Sequence, residues 1–368
     1  MIIGGGPAGA AAAITLARAG HAATLIERSV AASDKVCGDF LSTEALATIE
    51  TLGVDLSAAS VITAVRLVHR DRIATVRLPF IARGLSRCAL DEALLQRAQA
   101  NGTTLLRGHY VAAVDRDGGS LRLDCRPLGP LVADSVFLAT GKHEVRKAQR
   151  TSRGTGLVGM KMYFALAAAQ LAALRHHVEL VLFPGGYAGL QLVEADRAVL
   201  CVLLPAARLR AVGGQWDNLL DALNDECPHL RERLAGASAL LPRPLAVAGL
   251  PYGYVYAPNR HDSPGLFRLG DQAAVIASLT GDGVALALAS GRLAAQTWMG
   301  GGTPARYHRY LRAALSGQLR LATAIHRVCL TPTLQPWVAV AGGQWPSAIR
   351  MVVKATRANR LTHGRYAA

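Results

Sequence analysis

The chain opens on a short apolar run, Met1 to Ile3, that stops at Gly4-Gly5-Gly6 and gives way to an alanine-rich stretch ending at Ala19-Gly20. A second apolar run, Ala23 to Ile26, closes on Glu27. Apolar segment, glycine turn, helix former and apolar segment in that order predict a compact βαβ unit over residues 1–27. Three residues are few for a central strand, so this reading leaves open whether the encoded chain starts upstream of Met1. A helix is predicted from Ser42 to about Leu52. Apolar and polar positions then alternate from Val65 to Leu78 on either side of His69-Arg70-Asp71-Arg72, the pattern of a hairpin. Leu94, Leu95 and Ala98 fall at helical spacing in residues 91–100, with Gly102 where a C-cap is useful. Strands are expected at 104–106 and 111–114. Residues 135–141 form a short apolar run closed by Gly141, suited to a buried parallel strand. Residues 156–250 are β-rich, with runs at 178–183, 187–193 and 198–204 separated by Pro184-Gly185-Gly186 and Ala195-Asp196. After Leu266 to Asp271 the pattern is helical to the end.

Length and composition narrow this picture. A chain of 368 residues exceeds what one hydrophobic core usually serves, which predicts two interwoven domains. With 51% apolar and 18% charged residues, it lies far from the disordered regime. The net charge of +15 favours anionic ligands, acidic headgroups or nucleic acid. Zinc-finger spacing and RNP-type aromatic motifs are both missing, so nucleic acid is not expected and anionic cofactors suffice. Whether the basic surface meets a membrane peripherally is left open, and the oligomeric state is not specified. Cys37, Cys88, Cys125, Cys201, Cys227 and Cys329 are scattered without metal-ligand spacing. They read as reduced thiols of a cytoplasmic protein, and no metal is expected; His176-His177 reads as a surface turn. No signal peptide is recognisable. The apolar stretch near 337–349 is interrupted by Gly342, Gly343 and Pro346, so no spanning helix is expected.

The chemistry concentrates in two turns. Gly4-x-Gly6-x-x-Gly9 lies between a strand and a helix, where glycines let a pyrophosphate approach backbone N–H groups at a positive helix end. Glu27 closes the second strand, where a carboxylate accepts ribose hydroxyls. Together they predict a dinucleotide site. Far downstream, Gly270-Asp271 ends a strand and Thr280-Gly281-Asp282-Gly283 opens a helix. That helix N-terminus can stabilise negative charge on a reduced flavin ring while Asp271 accepts from a ribityl hydroxyl. The dinucleotide is therefore read as FAD.

Over most of residues 1–300 the sequence resembles the flavoprotein superfamily of geranylgeranyl reductases, aromatic hydroxylases and flavin-dependent halogenases. The resemblance is carried by GGGPAG with Glu27, by Ser86-Arg87-x-x-Leu90-Asp91 and by GDQAAVIASLTGDG at 270–283. It implies FAD contacts at Gly4, Gly6, Pro7, Ala8, Gly9, Glu27, Arg28, Arg87, Val111, Thr140, Gly141, Asp271, Gly281, Gly283 and Val284. Cys37-Gly38-Asp39 resembles the Cys-Gly-Glu segment of the geranylgeranyl reductases, which places Cys37 and Gly38 near the flavin. Cys37 and Tyr187 are the candidate catalytic residues, although the first can be a small buried hydrophobe and the second a half-buried strand aromatic. Two departures bear on mechanism. The hydroxylases carry Asp-Gly where this chain has Thr140-Gly141, which puts the usual reduction by NAD(P)H in doubt; Lys142 and Arg146 either contact phosphate or belong to a solvated loop. The paired-tryptophan motif of the halogenases is not formed by Trp216, Trp298, Trp337 and Trp345.

The implied fold is α/β: a Rossmann-like FAD-binding domain (1–155 and 251–300, with a β-hairpin insertion near 62–78), an inserted antiparallel β-sheet substrate domain (156–250) and a C-terminal helical region (301–368). The resemblance implies a monooxygenase hydroxylating a hydrophobic or aromatic secondary metabolite, with NAD(P)H as a transient donor. The alternatives are a reductase acting on a C=C bond of a lipid-like or isoprenoid substrate, and a non-catalytic flavin-binding partner protein.

Overall fold

In the computed structural model, residues 1–151, 154–259, 262–357 and Leu361 are described; the last part of the expected C-terminal region, 358–360 and 362–368, lies outside them. The first strand is only Ile2–Ile3, yet it occupies the middle of a five-stranded parallel sheet, with Thr24–Glu27 on one side and Val136–Leu138 on the other. Thr104–Arg107 and Leu266–Arg268 form the edges. Two residues suffice because the ladder continues beyond them: Phe137 N–H donates to Met1 O, Ala139 N–H to Ile3 O and Gly4 N–H to Ile26 O, each at 2.8 Å.

One face of this sheet is covered by the helices Pro7–Arg18 and Gly283–Met299. Ala10 to Ala13 are completely buried between them. Small side chains there let the backbones touch: a Cβ at Gly291 would lie 2.1 Å from Ala8 O. The other face carries an antiparallel meander, Tyr110–Asp117, Ser120–Arg126 and Gly129–Ala133, whose Val111, Val114, Leu121 and Leu123 pack on Ile3, Ile26 and Leu138.

The residues read as β-rich build a second, larger sheet. Leu157–Ala165, Ala198–Pro205, Gly186–Leu192 and His176–Phe183 follow one another antiparallel, and His176–Phe183 then pairs in parallel with Ser60–His69. The predicted hairpin, Ser60–His69 with Arg72–Gly84, is thus hydrogen-bonded into this sheet, with Phe40–Leu41 at its far edge. Four short helices from Ala168 to Arg233 join the β segments; of these, Trp216–Glu226 buries Trp216, Leu219 and Leu223 against the sheet's outer face. The C-terminal part comprises Pro304–Leu330, Gln335–Gln344 and Pro346–Ala355. Its late apolar stretch is broken at Trp345-Pro346, and no helix of the described residues is long and apolar enough to cross a membrane.

A buried ionic knot fastens the hairpin to the larger sheet. Glu179, with its side chain fully buried, accepts from Arg66 Nη1 at 2.8 Å, Arg233 Nε at 3.0 Å and His229 Nε2 at 2.7 Å. Burial opposes the carboxylate's charge, but these three partners outweigh it and bring its pKa from 4.5 down to about 2. A pKa lowered by folding contributes stability that is complete above 4.5 and lost as pH falls toward 2. Glu179→Gln is therefore expected to lower unfolding free energy at neutral pH by about 3–5 kcal/mol, because it leaves buried cations without a counter-charge. It should also flatten the acid dependence of stability. Denaturant unfolding across a pH series checks both, and equal stability at pH 7 would remove this role.

Candidate functional site

The N-terminal glycine turn is defined by contacts that exclude side chains. Gly4 has φ +103°, and a Cβ there would meet Ala139 O at 2.4 Å; a Cβ at Gly9 would lie 2.0 Å from Gly4 O. Gly6 is the N-cap of Pro7–Arg18 and has no side-chain cap, so the first amides of the helix are available to an anion. Glu27 is buried and aimed by the turn itself: Oε2 accepts from Gly5 N–H at 2.7 Å and Oε1 from Ser29 N–H at 2.9 Å. Each oxygen keeps a lone pair for a ribose hydroxyl. Arg28 is exposed beside it, and Val111 is buried in the meander. Arg87, first residue of the helix Arg87–Ala100, brings Nη2 within 3.4 Å of a Cβ position on Gly6. Asp91 holds that guanidinium through two 2.9 Å bonds and also accepts from Lys35 Nζ at 2.6 Å.

The second turn is built on the opposite wall. Gly270 N–H donates to Ser290 Oγ at 2.9 Å, and Asp271 follows with its carbonyl accepting from Arg150 Nη1 at 2.9 Å. Gln272 Nε2 donates to Gly141 O and His143 O, fastening this turn to the end of Val136–Leu138. Gly281, at φ +70°, sits against Phe40, and Gly283 opens the long helix with nothing near its Cβ position. Asp282 is fully buried and ion-paired with Arg357 at 2.8 Å, whereas Asp271 faces the cavity.

A cavity of about 380 Å³ joins the two turns. Gly6, Pro7, Ala8, Cys37, Gly38, Arg87, Gly141, Tyr187, Asp271, Gly281, Gly283 and Val284 all border it. Among the other sequence-predicted residues, Gly4 and Gly9 lie beneath the first turn, Glu27, Arg28 and Val111 stand apart from the cavity, and Thr140 Oγ donates to His143 O at 2.7 Å. Lys142 and Arg146 take separate paths: Lys142 Nζ donates to Val36 O at 2.5 Å, and exposed Arg146 lies 3.6 Å from Asp124.

Sequence reasoning missed the groups that fix Cys37 and those that surround Tyr187 on the far wall. Behind Cys37, Lys161 Nζ and Asp39 Oδ2 lie 2.7 Å apart with both side chains fully buried, and Tyr163 Oη is 2.6 Å from the same Asp39 oxygen. Burial raises the Asp39 pKa to about 6 against the opposing charge of Lys161. Lys161 also donates to Lys35 O at 3.1 Å, so two lysines clamp the 35–38 segment. The usable signal was Lys161 and Tyr163 at alternate positions of an otherwise apolar strand. Across the cavity, Tyr187 Oη and Ser278 Oγ share a 2.6 Å hydrogen bond, and Tyr252 Oη donates to the same Ser278 Oγ at 3.2 Å. His326 stacks edge-on to Tyr187; burial pushes its pKa down to about 4, so it is neutral at physiological pH. Of the described side chains bordering the cavity, Gln191 is the one with buried polar atoms lacking a partner, and both its amide atoms are in that state. No group of three or more His, Cys, Asp or Glu among the described residues could hold a metal.

These features fit an extended dinucleotide carrying a planar ring: two uncapped glycine turns, a pre-aimed carboxylate and a cleft between two helix N-termini. A family model described as pyridine nucleotide-disulphide oxidoreductase matches residues 1–195. Menaquinone reductase of Mycolicibacterium smegmatis is 27% identical over 98% of this chain and 90% of its own length. Among solved structures, the flavin-dependent brominase Bmp2 superposes with TM-score 0.79 at 16% identity, covering 96% of this chain and 92% of that one. A geranylgeranyl bacteriochlorophyll reductase-like protein from Thermoplasma acidophilum gives 0.76 at 16% identity, covering 98% and 95%. The fold is shared with these flavoproteins, and the cofactor is FAD.

The different surroundings of the two aspartates generate a prediction. Asp271→Ala is expected to weaken FAD binding on the order of tenfold, by loss of one charge-assisted hydrogen bond, while leaving apoprotein unfolding unchanged. Asp282→Asn is expected to lower apoprotein stability through Arg357. Fluorescence titration of apoprotein with FAD and thermal unfolding check the pair; the reverse ranking would remove the assignment of Asp271.

Proposed function

The chain belongs to the pyridine nucleotide-disulphide oxidoreductase family, and from that premise we propose that this FAD-dependent oxidoreductase reduces a carbon–carbon double bond in a lipid-like substrate of the menaquinone type. The observation that carries this reading is the cavity itself: Val65, Leu67, Leu78 and Leu180 give it aliphatic walls, and among its described polar side chains Gln191 is the one whose buried atoms lack a partner. Such a lining suits a long apolar ligand with a single polar end. The relative named menaquinone reductase, aligned over 98% of this chain, supports the same reading. Reduction therefore takes precedence over the hydroxylation implied by the wider family resemblance.

A bound reduced flavin would supply a hydride to one alkene carbon, and a proton would be required at the other. The chain Tyr187–Ser278–Tyr252 holds such protons beside the cavity. Burial raises the pKa of both tyrosines, which keeps the phenols protonated at neutral pH. Tyr252, half-buried, borders the same cavity, so both phenols of the chain can serve a ligand there. The two lysine clamps hold Cys37 on the cavity wall, where it would neighbour a bound flavin, and Gln191 can donate to a carbonyl or accept from a hydroxyl at the polar end of the substrate.

Incubation of chemically reduced protein with menaquinone under strict anaerobiosis tests the reaction by product mass. Gain of two hydrogens without oxygen, retained after any quinol has been reoxidised to the quinone in air, is the expected result. A product that forms only with oxygen and gains one oxygen atom would establish hydroxylation instead, and unchanged substrate under both conditions would leave the non-catalytic reading. For Gln191→Leu, KM is expected to rise on the order of tenfold with kcat nearly unchanged, the cost of one neutral hydrogen bond; an unaltered KM would remove the role of Gln191.

A further inference from the structure

The C-terminal helices carry apolar surface that the rest of the described chain leaves uncovered. Trp337 is 67% exposed, Trp345 61% and Met351 71%. In Pro346–Ala355, none of the ten residues is buried. Ile349 and Val353 on this helix border the cavity, while Ala348, Met351 and Ala355 form a second apolar stripe turned to solvent. Arg350 and Lys354, one turn apart, occupy the remaining face. An apolar arc wider than the contact it makes, with a narrow cationic arc beside it, is the pattern of a helix lying in a membrane interface. Tryptophan suits that boundary because its ring is apolar and its N–H is polar.

We propose that this face docks the protein onto an anionic lipid bilayer, with Trp345 and Met351 in the boundary between headgroups and acyl chains, Trp337 flanking them, and Arg350 and Lys354 over lipid phosphates. Charge selects the bilayer over a second copy of the chain. A two-fold contact through this patch would bring Arg350 and Lys354 toward their own symmetry mates in a protein of net charge +15. An anionic surface instead attracts each of them. The helix is also held in place: Arg357, two residues beyond it, pairs with Asp282 and donates to Thr280 O at 2.5 Å. Docking thus sets one wall of the apolar cavity against the bilayer. The docking surface rests on the exposed residues alone; its use for delivering a lipid rests on the reductase reading above.

Co-sedimentation of the FAD-loaded protein with vesicles tests this, comparing phosphatidylcholine alone with an equal mixture of phosphatidylcholine and phosphatidylglycerol. Binding is expected on the mixed vesicles, weakened by salt, with tryptophan fluorescence quenched by brominated acyl chains. The Trp345→Ser/Met351→Ser double variant is expected to bind on the order of tenfold more weakly, with FAD content and thermal unfolding unchanged. Arg350→Glu/Lys354→Glu is expected to abolish the preference for the anionic mixture. No excess binding to the mixed vesicles would overturn the proposal, as would a solution dimer that the double variant converts to monomer. A water-soluble short-chain substrate analogue assayed without vesicles separates the two readings: activity without vesicle binding removes docking alone, and vesicle binding without activity removes the reductase reading alone.

Discussion

The site depends on one close approach. The helices Pro7–Arg18 and Gly283–Met299 lie side by side because Gly291 and the buried alanines remove every obstacle between their backbones. Both begin at glycine turns, and both turns border the same cavity. Packing these two helices together therefore brings two positive helix ends to one cavity. We read the first turn as the phosphate side and the second as the side of a ring that becomes negative. Larger side chains at the crossing would separate the helices and misalign those ends by more than a hydrogen bond tolerates.

Around that crossing the charged groups divide into anchors and open positions. Asp282, Glu179 and the Lys161–Asp39 pair are buried and neutralised in place, and each fastens one segment to another: the C-terminus to the flavin turn, the hairpin to the sheet, the 35–39 segment to the sheet floor. Asp271 and Gln191 face the cavity, with Gln191 lacking any intramolecular partner. A buried polar group without a partner costs stability, so its retention on a cavity wall is informative about what enters.

Much of this was legible in the sequence where a local rule has no substitute. The glycine turns were, because the backbone at Gly4 and Gly281 requires positive φ and close contact, which few residues allow. The first strand, read as Met1 to Ile3 and found as Ile2–Ile3, and the hairpin were visible from apolar runs and alternation. What escaped depended on distant pairing. The hairpin's place beside His176–Phe183 is set by a parallel register that no local pattern encodes. Lys161 meets Asp39 across 122 positions of chain and Tyr187 meets Ser278 across 91, so neither group announces its partner. The helix Trp216–Glu226 was hidden differently: its apolar positions are spaced for a helix but lie inside a stretch dominated by strands.

The pairing of Arg357 with Asp282 carries the support of the site far along the chain. The first turn is made by residues 4–9 and the second by residues near 280, while the buried carboxylate of the second turn meets Gln318 Nε2 at 3.4 Å and Arg357 Nη1 at 2.8 Å. Its charge is thus balanced by a residue 75 positions away, just beyond a helix that also walls the cavity. The late helices are in this sense a foundation of the second turn, and a change in them reaches that turn through electrostatics without touching a ligand.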